Sequence, residues 1–137
     1  MTKIVKARYD AKLPEKKTSG AACYDAYASI PKKKWVWLKP TLIPLGFKVE
    51  LEKTNELLVR GRSGLTRSGH FVCLGTVDSD YRGEVAACVW SLLPFRVKPF
   101  MRIAQIAIRE IPDDSFVITD KLSDTERGEG GFGHTGV

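Results

Sequence analysis

Gly75-Thr76-Val77-Asp78-Ser79-Asp80-Tyr81-Arg82-Gly83-Glu84 lies between two runs of strand character, residues 70–74 and 84–90. A glycine at each end and acidic, hydroxyl-bearing residues between them predict a hairpin whose backbone closely approaches something it binds. The N–H and C=O groups of such a hairpin can pair with a base edge as a complementary base would. Asp78 is then a candidate to orient or deprotonate a water, and Tyr81 to pack flat against a sugar. The alternative is an acidic surface turn with a hydrogen-bonded tyrosine.

Outward from this stretch the same short-strand pattern repeats. Residues 3–8, 35–38, 41–51, 56–60, 95–98, 102–110 and 115–119 read as further strands, punctuated by prolines and by Gly46, Gly75 and Gly83. No long segment carries the 3.6-residue apolar period of an amphipathic helix. One short helix is expected where Ser63 caps Gly64-Leu65-Thr66-Arg67-Ser68. The chain therefore reads as all-β, a jelly-roll-like or barrel arrangement, with a β domain over 1–120 and a flexible arm over 121–137.

At 137 residues the chain suits one domain with a real core. No apolar run approaches the length of a membrane-spanning helix, and the first residues lack the apolar stretch of a signal peptide. Cys23, Cys73 and Cys88 are odd in number and lack metal-type spacing, so reduced thiols and a cytoplasmic location are expected. The net charge of +6 suits a nucleic-acid binder or a highly anionic small substrate. Lys32-Lys33-Lys34 precede Trp35 and Trp37, which share one strand face. Such a pair can stack bases, but its commoner use is to fill a core or a subunit contact.

Three further stretches combine polar chemistry with turns. In Gly61-Arg62-Ser63-Gly64-Leu65, helix N–H groups, the Ser63 hydroxyl and the Arg62 guanidinium can converge on phosphate oxygens. A plain cap beside a surface arginine fits equally. Asp25, within Ala22-Cys23-Tyr24-Asp25-Ala26-Tyr27, can hold a metal-bound water or satisfy local backbone donors. Gln105 in an apolar strand is either a hydrogen-bond hub or a ligand-facing group. The terminus Arg127-Gly128-Glu129-Gly130-Gly131-Phe132-Gly133-His134-Thr135-Gly136 carries five glycines. Ordering about ten such residues costs roughly 10–20 kcal/mol, so a mobile arm that orders only over a ligand rich in anionic oxygens is expected.

Taken in order, these five segments resemble the five motifs of the trimeric dUTPase (dUTP pyrophosphatase) family. The resemblance implies the β-clip, jelly-roll-like dUTPase fold and Mg²⁺-dependent hydrolysis of dUTP to dUMP and pyrophosphate. That reaction limits uracil incorporation into DNA and supplies dUMP for thymidylate synthesis. Water would attack the α-phosphorus, positioned by Asp78, while Tyr81 excludes a ribose. Gly75, Thr76 and Val77 would read uracil. Arg62, Ser63 and Gly64 would hold the phosphates, and Gln105 and Asp25 would meet the metal–phosphate assembly, Asp25 through a water. From the arm, Phe132 would cap uracil, with Arg127, Gly133, His134 and Thr135 at the phosphates. The family's homotrimer shares its sites between subunits. Neither a membrane nor specific nucleic-acid binding is implied. Of the related chemistries, dCTP deamination needs a glutamate base near the hairpin, for which Glu84 is the only nearby candidate. A nucleotide-gated binding protein is a third reading.

The chain departs from the family pattern at several places. Cys23 and Gly61 replace a common glycine and proline, Phe100-Met101 replaces a Gly-Asp turn, and the loops at residues 39–41 and 91–94 are trimmed. His134 stands where serine is common, and it retains a donor for phosphate. His134→Ser is expected to leave turnover within a few-fold near neutral pH. A loss as large as that from truncation after Glu126 would refute this.

Overall fold

A computed structural model describes residues 1–132. In chain order its strands are β1 (Lys3–Lys6), β2 (Tyr24–Tyr27), β3 (Lys34–Val36), β4 (Thr41–Pro44), β5 (Phe47–Glu50) and β6 (Asn55–Arg60). Then follow helix α1 (Ser63–Arg67), β7 (His70–Val72), β8 (Gly75–Val77), β9 (Ala86–Ser91), β10 (Phe95–Val97) and β11 (Arg102–Glu110). All pairings are antiparallel and form two main sheets, ordered β2-β11-β6-β8 and β4-β9-β7, with two ribbons, β1-β5 and β10-β3. The all-β, jelly-roll-like reading holds.

Alternation dictates which side chains go inward. In β9, Ala87, Val89 and Ser91 are buried while Ala86, Cys88 and Trp90 lie nearer the surface. Ile43, Phe47, Leu57, Val59, Val89, Val97 and Ile103, drawn from both sheets and both ribbons, share one core. β11 is paired along both edges, with Gln105 facing Asp25 of β2 on one side and Arg60 of β6 on the other. That double pairing ties three functional segments into one row.

Several expectations are corrected. Residues 41–51 form two strands, because Gly46 takes a left-handed backbone (φ 79°) between β4 and β5. Residues 73–85 are not a simple hairpin. β7 and β9 do pair, but the chain between them crosses to the other sheet, where β8 pairs with β6. Ser63 does not cap α1. It is the first helical residue, and Arg62 occupies the cap position without a side-chain cap bond. Residues 115–119 form no strand and are exposed, since no strand among the described residues lies alongside to pair with them. Trp35 and Trp37 do not fill the core; they are 60% and 55% exposed. β2 went unpredicted because its sequence, Tyr-Asp-Ala-Tyr, is too short and mixed to signal a strand.

Gly46 is held from several directions. A Cβ there would sit 2.6 Å from both Ala11 Cβ and Ser29 Oγ, and its N–H donates to Glu84 Oε1 at 3.0 Å. Left-handed strain of about 1–2 kcal/mol and overpacking of about 1–3 kcal/mol add. Gly46→Ala should lower unfolding free energy by about 3 kcal/mol in urea titrations; a loss under about 1 kcal/mol would contradict that close approach.

Candidate functional site

Asp25 anchors the first cluster. It sits on the outer strand of the four-stranded sheet, with a side chain only 15% exposed. A carboxylate that buried needs donors on both oxygens. Arg62 Nε donates to Oδ1 at 3.0 Å, and Arg102 Nη1 donates to Oδ2 at 3.2 Å. Arg62 Nη1 also donates to the Arg102 carbonyl at 3.2 Å. One aspartate thus fixes two guanidiniums from different elements side by side. Gln105 Nε2 donates to the Gly61 carbonyl at 2.7 Å, pinning the loop that carries Arg62, Ser63 and Gly64. Its hub reading is therefore realised. A Cβ on Gly64 would meet nothing within 4 Å, so the surface above the helix start is open.

Glu15 supports this cluster from behind. Its backbone exchanges N–H···O bonds with Asp25, at 2.9 and 3.1 Å. Its carboxylate accepts from Lys17, Tyr27 and Lys12, and these bonds hold its pKa down at about 2. Charged donors stabilise the ionised form.

The second cluster is a hollow of about 270 Å³. Gly75, Thr76, Val77, Asp78, Tyr81 and Glu84 line it, with Leu42, Val59, Val85 and Ala86 as apolar floor. It is smaller than a typical drug-sized site and suits a base with its sugar. β8 is the terminal strand of its sheet, so the backbone groups on its outer edge are not consumed by sheet pairing. The Tyr81 hydroxyl donates to the Glu84 carbonyl at 3.2 Å, which stands the ring over Gly83. A Cβ on Gly83 would lie 2.1 Å from Tyr81 Oη and 2.3 Å from Cζ, so only glycine admits this ring position. At Gly75 a Cβ would make ordinary contact with Val59 at 3.5 Å. The close approach anticipated at both glycines is therefore realised within the chain only at Gly83. One oxygen of Glu84 is occupied by the Gly46 N–H.

The two clusters do not meet within one chain. Asp25 lies on the edge strand β2 and Arg102 and Gln105 on β11, whereas the hollow is built on the opposite edge strand β8. Val77, just before Asp78, pairs with Leu57, whereas Arg62 follows the far end of β6. At about 3.3 Å per residue the separation is on the order of 15 Å. The described part of the arm meets neither cluster. Arg127 Nε donates to its neighbour's carbonyl at Gly130, 2.8 Å away, and Phe132 is fully exposed. Gly133, His134 and Thr135 lie outside the described residues. Arg102, which sequence reasoning gave no role, belongs to the first cluster. Its one signal was a lone cation opening an apolar strand.

Among the described residues no group of three or more His, Cys, Asp or Glu could hold a metal. A single carboxylate beside two guanidiniums does fit a hydrated Mg²⁺ that arrives with phosphates, since Mg²⁺ commonly takes one or two carboxylates plus substrate phosphates and keeps several waters.

Residues 9–136 match the family model described as dUTPase. A deoxyuridine 5'-triphosphate nucleotidohydrolase of Treponema denticola is 45% identical over 145 residues, covering 100% of this chain and 99% of the relative. One from Chlamydia trachomatis is 44% identical over 133 residues, covering 90% of each. Among solved structures, the Staphylococcus bacteriophage 80alpha dUTPase with dUpNHpp superimposes with a TM-score of 0.89 at 20% identity, covering 100% of this chain and 99% of that one. A mutant dUTPase from phage phi11 of S. aureus, which coordinates a structural Mg(II) ion, has a TM-score of 0.79 at 13% identity, covering 89% and 98%. The relatives span the segments that build both clusters, and the chain belongs to the dUTPase family of deoxyuridine 5'-triphosphate nucleotidohydrolases.

Proposed function

We propose that this enzyme hydrolyses dUTP to dUMP and pyrophosphate at sites assembled between three copies of the chain. The observation that carries the shared site is the separation of its two halves. Backbones of Asp78 and Arg62 on the order of 15 Å apart favour a site that a second copy completes. Joined across a subunit boundary, the hollow of one copy can face the Arg62 cluster of another.

In that arrangement uracil pairs with the free outer edge of β8 at Gly75, Thr76 and Val77, where backbone groups remain available. A 5-methyl group would meet the wall of a hollow this small. Tyr81, standing on Gly83, lies against the deoxyribose and leaves no room for a 2'-hydroxyl. Arg62, Ser63 and Gly64 hold phosphate oxygens over the open start of α1, while Gln105 keeps their loop in place. Asp78 accepts a proton from a water whose oxygen attacks the α-phosphorus in line. The bridging bond to the β-phosphate breaks, and pyrophosphate leaves. Phosphoryl chemistry asks mainly for positioning and charge neutralisation. Mg²⁺, held by Asp25 through a water, would supply further neutralisation on the phosphates. Arg127, Phe132, Gly133, His134 and Thr135 close the site when the arm folds over nucleotide. The product supplies thymidylate synthesis, and its formation limits uracil in DNA.

Pyrophosphate release measured with dUTP, dTTP, dCTP and UTP in the presence of Mg²⁺ tests the substrate. Selectivity for dUTP is expected, and equal release from UTP or dTTP would defeat the reading. Asp78→Asn should reduce release by at least about 100-fold, as expected when a positioned base is lost, while nucleotide still binds. Gly83→Ala should displace the Tyr81 ring and narrow the preference for dUTP over UTP without unfolding the chain. An unchanged preference would remove Tyr81 from sugar selection.

A further inference from the structure

The ribbon β3–β10 lies outside both clusters and has an unusual surface. Val36, Phe95 and Val97 point into the core, so the alternate residues point outward. The outward face carries Lys33, Trp35 and Trp37 along one strand and Arg96 and Lys98 along the other, with Arg96 paired opposite Trp35. Both tryptophans are held in place while more than half exposed. Arg96 stands 5.9 Å from the Trp35 ring, and Trp37 Nε1 donates to the Leu92 carbonyl at 3.2 Å.

The charge pattern is one-sided. Residues 31–39 and 91–99 hold six Lys or Arg and no Asp or Glu. The remainder of the chain then has 16 basic residues against 16 acidic ones, so these stretches account for the whole net charge of +6. No carboxylate occurs in residues 26–49 or 85–109. An anionic partner therefore meets a net positive charge along the ribbon, with Glu84 the one carboxylate that shares a hollow with Lys33.

We infer that the outward face of β3–β10 binds single-stranded nucleic acid without sequence preference, with bases stacked on Trp35 and Trp37 and phosphates on Lys33, Arg96 and Lys98. Rings two residues apart on a strand stand about 6.6 Å from each other, a spacing that an unstacked strand can follow. Every base offers a π-face, so aromatic platforms interleaved with cations bind single strands regardless of sequence. Arg96 stands opposite Trp35, and Lys33 and Lys98 follow it along the two strands. The fixed rings also lower the ordering cost of binding.

The test is fluorescence anisotropy of a labelled deoxythymidine 16-mer with the full-length protein, together with quenching of tryptophan emission. Trp35→Ala and Trp37→Ala should each weaken binding about 5- to 100-fold, and Trp35→Phe should restore most of it. Lys33→Gln with Lys98→Gln should flatten the slope of log affinity against log salt by about 1.4. These lysines are exposed, so that pair tests the face even if a tryptophan variant fails to fold. Saturating dUTP should leave the strand bound, and dUTP hydrolysis by the tryptophan variants should stay unchanged. Four results overturn the inference: binding unaffected by loss of the rings, displacement of the strand by dUTP, or binding of phosphatidylserine vesicles but not the strand. The fourth is a smaller assembly for Trp35→Ala or Trp37→Ala in light scattering, which would make the face a contact between copies.

Discussion

The carboxylate of Asp25 is the interaction on which the rest of the molecule's chemistry depends. Two guanidiniums placed side by side repel, and apart from the Arg62 bond to the Arg102 carbonyl only Asp25 holds them together. Asp25 gives each an oxygen and sits mostly out of solvent, where charge-assisted hydrogen bonds are worth about 1.5–3 kcal/mol each. Glu15 fixes the backbone of Asp25, and Gln105 fixes the loop before Arg62. The row Asp25–Gln105–Arg60 across three strands thus becomes a rigid mount for positive charge. Side chains on strands make a more precise mount than side chains on loops.

The same sheet also sets the distance between the two halves of the site. β6 is shared, pairing with β11 along its whole length and with β8 at Leu57, Leu58 and Val59. Because strand rise is nearly fixed, the backbones of Asp78 and Arg62 are held on the order of 15 Å apart. The segment with Phe116, Val117 and Ile118 is exposed; its apolar run reads as a strand in sequence but has no strand partner among the described residues.

What could be read from residues alone follows the reach of the forces involved. β11 matched its expected span because a long apolar run is a local signal. Gly46 split one expected strand in two through contacts with Ala11 and Ser29, which are far away in sequence. The crossing of β8 to the other sheet is likewise non-local, since its partner β6 lies upstream of the helix. Arg62, taken either as a phosphate ligand or as a surface residue, proved to be an ion-pair partner of Asp25. That pairing joins residues 37 positions apart, and no spacing rule announces it. Tyr81 and Gly83 were legible as a pair of residue types; that one stands on the other was not.

Charge then separates the two surfaces of the molecule. At the Asp25 cluster two guanidiniums meet one carboxylate, leaving one uncompensated positive charge beside an open helix start. That excess is small, which suits a ligand that brings its own cation and must leave again after the reaction. A site with many unpaired cations would hold a pyrophosphate product as firmly as its substrate, and binding ground states that tightly lends nothing to turnover. The β3–β10 ribbon follows the opposite rule. Residues 31–39 and 91–99 carry six cations and no carboxylate, a local excess that serves long-range attraction. The excess is modest in the mount and large in the remote ribbon, so the two surfaces differ in electrostatic character.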